Sequence, residues 1–196
     1  MVFSRANSGG LDMIIAINGK AGSGKDIAAD FVAADFKLIK VSFAGKIKEI
    51  LEDVFGFDHD KLWGPSELRA EPQKMINGKN ITSRDALQTV GEAFCEVYDN
   101  VWVDYVFKHS GNYIVISDQR KRNEFDIIKQ QGGILIRIKR KGAGLKGKNG
   151  KHRSEKEMDS IKDKEYDIVI NNDGTLEELR EKLKIEINKR ILPYIS

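Results

Sequence analysis

The sequence predicts an α/β fold of the doubly wound type, one parallel sheet with helices on both faces. Three observations predict it. Apolar strand-like runs alternate with helix-forming segments along most of the chain. The first run leads directly into a glycine-rich turn and a helix. Finally, the run YIVIS at residues 113–117 is continuously apolar, as a strand covered on both faces requires. Five strands joined by right-handed crossovers satisfy this pattern.

The first element is MIIAINGKAGSGKDIAAD, residues 13–30, where Gly19, Gly22, Gly24 and Lys25 fit G-x-x-x-x-G-K. Backbone without side chains lets successive N–H groups close around phosphate oxygens, and the lysine adds a point charge. Gly22, Ser23, Gly24 and Lys25 are therefore candidate nucleotide contacts. Asp26 stands where a Ser or Thr hydroxyl normally meets Mg²⁺, and Ile27 follows it, so neither position offers a hydroxyl. A ligand-free glycine turn is the alternative; strand and helix on either side favour phosphate.

Residues 25–36 predict a helix with Ile27, Phe31 and Ala34 on its buried side, and residues 37–41 a second strand. In the amphipathic stretch 43–55, Phe43, Ile47, Ile50, Leu51 and Val54 form a buried stripe, with Lys46 and Lys48 off it. From Gly56 to Ile81 the pattern loosens around Gly64, Pro65, Pro72 and Gly78, predicting an irregular insertion that contains Arg69. Thr82 and Asp85 make a capping box for a long helix with Ala86, Leu87, Val90, Phe94 and Val97 inward. Arg84 and Gln88 stand one turn apart on it, so they can meet one ligand, by phosphate and base edge, or remain two solvated side chains. Residues 101–107, with Trp102, continue as helix.

The strand YIVIS ends at Asp118, and the carboxyl ends of parallel strands face the ligand crevice. Asp118 is thus placed for a metal ion, and Arg120 for the charge that develops on a transferring phosphoryl group. Residues 123–131 read as helix and 134–138 as a fourth strand. Residues 137–156 hold nine Lys or Arg and one acid, Glu155, interspersed with four glycines. A mobile lid closing over nucleotide explains both features; a basic loop or a nucleic-acid contact is the alternative. A fifth strand at 166–170, a turn at 171–174, and a closing helix capped by Thr175 and Glu178 and running to Arg190 complete the chain.

With 196 residues and 40% hydrophobic content, the chain suits a single domain with a true core. The net charge of +3 is too mild to argue for nucleic acid. The only cysteine, Cys95, reads as a core residue; it excludes an intrachain disulfide framework and a cysteine-based metal cluster, and fits a reducing cytoplasm. No apolar run approaches the ~18 residues of a membrane span. Residues 1–12 read as a disordered extension outside the domain, with Met13 a natural start.

Taken in order, several segments resemble the bacteriophage deoxynucleoside monophosphate kinases, a branch of the P-loop nucleoside monophosphate kinases. They are SGKD at residues 23–26, FAGKIK at 43–48, LWGPSELR at 62–69, LQTVGE at 87–92, VWVD at 101–104, SDQRKRNE at 117–124, HRSE at 152–155 and NNDGTLEEL at 171–179. The resemblance implies the P-loop kinase fold with an acceptor-binding insertion and a mobile lid. It divides 13–196 into a core (13–55, 112–139, 166–196), an acceptor-binding region (56–108) and a lid (140–165). It implies ATP with Mg²⁺ as donor and a deoxynucleoside monophosphate as acceptor, in the cytoplasm of a host if phage-encoded. Arg69, Arg84 and Gln88 would hold the acceptor phosphate, with Lys46 and Arg120 as further acceptor contacts. Arg140 and Arg153 would be lid cations, and the turn Asn172–Gly174 would lie near the donor adenine. The branch carries Asp after the loop lysine, usually followed by Thr, and this chain departs from it at Ile27, which makes Asp26 the candidate metal ligand beside Asp118. It also has Cys95 and Glu96 where relatives often have arginine. A phosphomevalonate or dephospho-coenzyme A kinase, and a nucleotide- or nucleic-acid-binding protein without kinase activity, are the competing readings. The oligomeric state, monomer or homodimer, is open.

Overall fold

The computed structural model describes residues 13–76, 78–111, 113–144 and 153–191. Residues 1–12 and the glycine-rich part of the basic stretch, residues 145–152, to which an extension and a lid were assigned, lie outside these. In chain order the first half comprises β1 (Met13–Asn18), α1 (Lys25–Phe36), β2 (Ile39–Val41), α2 (Gly45–Asp53), α3 (His59–Trp63), β3 (Pro72–Ile76), β4 (Lys79–Thr82) and α4 (Ser83–Val97). The second half comprises α5 (Val101–His109), β5 (Tyr113–Ile116), α6 (Arg122–Gln130), β6 (Ile134–Lys139), α7 (Arg153–Ser160), β7 (Ile168–Asn171) and α8 (Leu176–Ile191).

Five strands pair in parallel in the order β2-β5-β1-β6-β7. The strand carrying the glycine-rich turn is therefore central, flanked by the two strands that precede Asp118 and Arg140. Alternation along β1 divides the core. Ile14 and Ala16, with Ile114 and Ile116, meet Phe43, Ile47 and Leu51 near α2, Trp102 and Val106 of α5, and Phe125 and Ile128 of α6. Ile15 and Ile17, with Val115 and Ile136, meet Ala28, Ala29 and Val32 of α1 and Leu179, Leu183 and Ile187 of α8. Both faces of the central strands are thus dry, so β1 and β5 are buried along nearly their whole length, whereas the edge strands β2 and β7 carry exposed residues. The five-stranded α/β architecture expected from the sequence is observed. Among the described residues, no helix is long and apolar enough to cross a membrane.

Several local expectations are corrected. On α1 the buried face is Ala28, Ala29 and Val32, whereas Ile27 is 41% exposed and Ala34 also faces outward. Small side chains let α1 approach the sheet and α8, where Arg180 grips Asp35 through two bonds of 2.6 and 3.0 Å and lies over the Phe31 ring. Helix α2 ends at Asp53, which leaves Val54 73% exposed. Likewise Phe94 and Val97 at the end of α4 are exposed, whereas Ala86 is buried and Leu87 and Val90 pack on the core. Cys95 packs against that core only partly buried, its Sγ accepting from Lys121 Nζ at 3.3 Å.

The insertion is not irregular. It contains α3, a 3₁₀ turn at Leu68–Ala70, and a hairpin of β3 and β4 that forms a separate antiparallel sheet. One glutamine ties it down: Gln73 Oε1 accepts from Asp58 N at 3.1 Å and its Nε2 donates to Ser83 Oγ at 2.7 Å. The predicted capping box at Thr82 and Asp85 then starts α4.

Candidate active site

Strands β1, β5 and β6 release the chain at one edge of the sheet, and the segments that follow them face one another there. After β1 the backbone turns through Gly22 and Gly24, with φ of 77° and 88°. The left-handed region suits glycine, and at Gly24 the constraint is also steric. A Cβ there would lie 2.4 Å from Asn172 Nδ2. The buried Asn172 side chain donates to Ser23 O at 2.9 Å, and its backbone N–H donates to Lys139 O at 2.7 Å. Asn172, assigned to the donor side from the sequence, thus joins its amide to the phosphate loop. Gly174 is exposed in the turn before α8. The lip of the loop is also tied to the chain beyond β6, where Gly144 N–H donates to Ala21 O at 2.9 Å.

Lys25 and Asp26 open α1 and pair with each other at 2.7 Å. The Asp26 side chain is 65% exposed yet sits within the crevice. Burial alone would raise its pKa, but the charge and hydrogen bond of Lys25, with Lys40 and Arg69 beyond, bring it below the usual carboxylate value. Across from it, Asp118 accepts from Phe43 N at 2.8 Å and Ala44 N at 3.0 Å, so each carboxylate oxygen holds one amide of the turn before α2. Arg120 follows, half-buried.

The two lysines of FAGKIK separate. Lys46 pairs with Glu49 at 2.7 Å, and that bond raises its pKa. Lys48, assigned no role from the sequence, is the one that faces inward. Its ammonium stands 4.5 Å above the Trp63 ring, and burial, then the nearby charge of Arg69, push its pKa down to about 8. Asp118, Asp26 and Lys25 share its field. Helical periodicity puts Lys48 off the buried stripe, so the sequence carried no signal for it.

Arg69 donates to Leu62 O and Gly64 O at 3.2 and 3.3 Å, and burial is the largest influence lowering its pKa, with Arg120 and Arg84 adding to the effect and Asp26 opposing it. Arg84 donates through Nη2 to Ser66 O at 3.0 Å, while its buried Nε has no protein partner. Such a buried donor is unsatisfied unless a ligand meets it. Gln88, one turn along α4, is half-buried. A cavity of about 360 Å³ joins Ala21 and Gly22 of the phosphate loop to Ser66 and Arg84, with exposed Arg140 on its rim. Arg153 opens α7, and its side chain lies outside the described atoms.

The structure thus gathers Lys25, Lys48, Arg69, Arg84 and Arg120 around two carboxylates, Asp26 and Asp118. Cations in such excess suit a polyanion. Among the described residues no group of three or more His, Cys, Asp or Glu could hold a metal by itself. One or two carboxylates suffice for a hard cation that takes its remaining ligands from phosphate and water.

The chain is similar to known proteins in sequence and in fold. A family model described as deoxynucleotide monophosphate kinase matches residues 70–183. A provisionally named deoxynucleotide monophosphate kinase of Acanthamoeba polyphaga mimivirus is 34% identical over 183 residues, covering 85% of this chain and 91% of its own length. The deoxynucleotide monophosphate kinase of Enterobacteria phage T4 is 25% identical over 239 residues, covering 87% of this chain and 97% of its own. Among solved structures, shikimate kinase from Aquifex aeolicus superimposes with a TM-score of 0.57 at 13% identity over 92% of this chain and 99% of its own, a likeness of fold. Shikimate kinase from Acinetobacter baumannii gives 0.52 at 13% identity, covering 95% and 96%.

Proposed function

This chain belongs to the deoxynucleotide monophosphate kinase family and phosphorylates deoxynucleoside 5′-monophosphates; we propose that ATP is the donor and that the crevice above the sheet divides the work as follows. The phosphate loop, residues 19–24, and Lys25 cradle the donor phosphates. Arg120 meets the transferring phosphoryl group. Lys48, Arg69 and Arg84 hold the acceptor phosphate, with Gln88 toward the base. Arg140 closes from the lid side, and Arg153 is assigned there by position in the sequence.

The observation that carries this reading is the cavity joining the phosphate loop to Arg84, whose buried Nε lacks a partner. The lip of the phosphate loop and one acceptor cation, Arg84, thus line one space. The acceptor phosphate is already ionised, so no base is needed; catalysis is in-line positioning and neutralisation of charge. Lys25 must leave Asp26 to reach phosphate, which frees that carboxylate. Asp26 and Asp118 are the residues that would hold Mg²⁺, whose contribution would be to neutralise phosphate charge. The donor set fits it: Asp26 is open to the crevice at the head of α1, in place of a hydroxyl, and Asp118 is a nearby carboxylate already holding two amides. Given the phage and viral relatives, we place the enzyme in a host cytoplasm.

The test is coupled ADP release across deoxy- and ribonucleoside monophosphates, phosphomevalonate and dephospho-coenzyme A. Turnover on deoxynucleotides, abolished in a folded Lys25→Ala variant, is expected. Silence on every nucleotide, or full activity of Lys25→Ala, would overturn the assignment.

A further inference from the structure

The segment 117–121 that carries Asp118 and Arg120 has no regular structure of its own, and it is pinned residue by residue from outside. Ser117 donates to Val41 O through both N and Oγ, at 3.0 and 3.2 Å. Asp118 holds the amides of Phe43 and Ala44. Gln119 O accepts from Asn18 Nδ2, and Gln119 Nε2 donates to Lys121 O, each at 2.9 Å. The N–H groups of Arg120 and Lys121 are bonded as well. A single atom takes both: Glu124 Oε2, at 2.7 and 2.9 Å.

Those two N–H groups belong to the peptide planes on either side of the Arg120 Cα. Fixing both planes fixes the direction in which the Arg120 side chain leaves the backbone. Capping of α6 does not by itself call for this. Thr82 and Asp85 cap α4 with the acid exposed, whereas Glu124 is only 7% exposed and reaches one residue further back than a capping box needs. Burying a carboxylate is costly, and the two backbone amides offset that cost at Glu124.

We propose that Glu124 is the positioning residue for Arg120, holding the peptide planes on both sides of its Cα so that the guanidinium is aimed at the transferring phosphoryl group. The inference rests on the role assigned to Arg120 above. Its chemistry lies in acceptance of two hydrogen bonds, so an amide can replace the carboxylate.

The experiment measures kcat and both KM values for Arg120→Ala, Glu124→Ala, Glu124→Gln, Glu124→Asp and the double variant Arg120→Ala/Glu124→Ala, with thermal melts of each. Glu124→Ala is expected to lose kcat by roughly 10- to 100-fold with KM for ATP within about 2-fold, as for a misplaced catalytic group. Glu124→Gln keeps kcat within about 3-fold, and the double variant is no worse than Arg120→Ala alone. Should Glu124→Ala not fold, Glu124→Asp, one methylene short, carries the same expectation. Wild-type kcat in a folded Glu124→Ala or Glu124→Asp, additive losses in the double variant, or inactivity of a folded Glu124→Gln would each overturn the proposal. Full activity of Arg120→Ala would instead reject the assignment of Arg120, a distinguishable failure.

Discussion

The side-chain amide of Asn172, on the loop after β7, donates to the carbonyl of Ser23 and fills the space beside Gly24 where any other residue would place its Cβ. Two loops more than a hundred residues apart in sequence are thereby one object. Replacing Gly24 by Ala forces a left-handed backbone onto an L-residue, at about 1–2 kcal/mol, and drives its methyl into Asn172. Calorimetry should show Gly24→Ala losing affinity for a non-hydrolysable ATP analogue. In Gly24→Ala/Asn172→Ala the clash is gone, and part of the affinity returns; no return would mean that the backbone angle alone matters.

Lys48 sets stability against function. Its pKa is lowered to about 8, by burial first and Arg69 second, so the folded protein disfavours the charged form. The unfolded chain binds this proton more readily, so stability is reduced at neutral pH and recovers as pH rises from about 8 toward the ordinary lysine value. Lys48→Met should therefore stabilise the ligand-free protein near pH 7 by about 1–2 kcal/mol, discounted for the group's partial exposure. It should raise KM for the monophosphate roughly 10- to 100-fold by loss of a charge-assisted contact. A melt and a KM measurement suffice; a destabilised variant with unchanged KM contradicts both halves.

Burial pushes the Glu124 carboxyl up to about 7, against the pull of the two backbone amides; the neighbouring charges are Asp118, which raises it, and Lys121, which lowers it. A raised carboxyl pKa means the folded state retains a proton that the unfolded chain releases near its ordinary value. The corresponding stability is fully present below about pH 4.5 and is lost as pH rises through 7. Between about pH 5 and pH 8 the loss should be about 2–3 kcal/mol. Glu124→Gln has no proton to lose. Urea titrations at the two pH values should show the wild type losing stability relative to Glu124→Gln; a constant difference would place the carboxyl's pKa in its usual range.

The five parallel strands and the phosphate loop were legible because their signals are local and redundant: continuous apolar runs, glycine spacing, and a following helix. The hairpin was not. Its strands are short and polar, Pro72 and Gly78 read as punctuation, and what orders them is Gln73 reaching Asp58 and Ser83. Periodicity also misjudged α1, because Ala28 and Ala29 carry little hydrophobic weight yet allow the close approach that buries them. In the candidate site, Asp118 and Arg120 were located from the end of β5 and Lys25 from the glycine-rich turn after β1. The choice of Lys48 over Lys46 depends on which one finds Glu49 and which one Trp63, a matter of tertiary geometry.

The hairpin of β3 and β4 shares no ladder with the main sheet. Lys25 and Arg120 follow adjacent strands whose separation is set by backbone hydrogen bonding, whereas Arg69 sits in an insertion that packs on the core through side chains, Phe57 and Leu62 among them. On the roles proposed above, substitutions in that insertion would move acceptor affinity while the phosphate loop on the central strand stays in place.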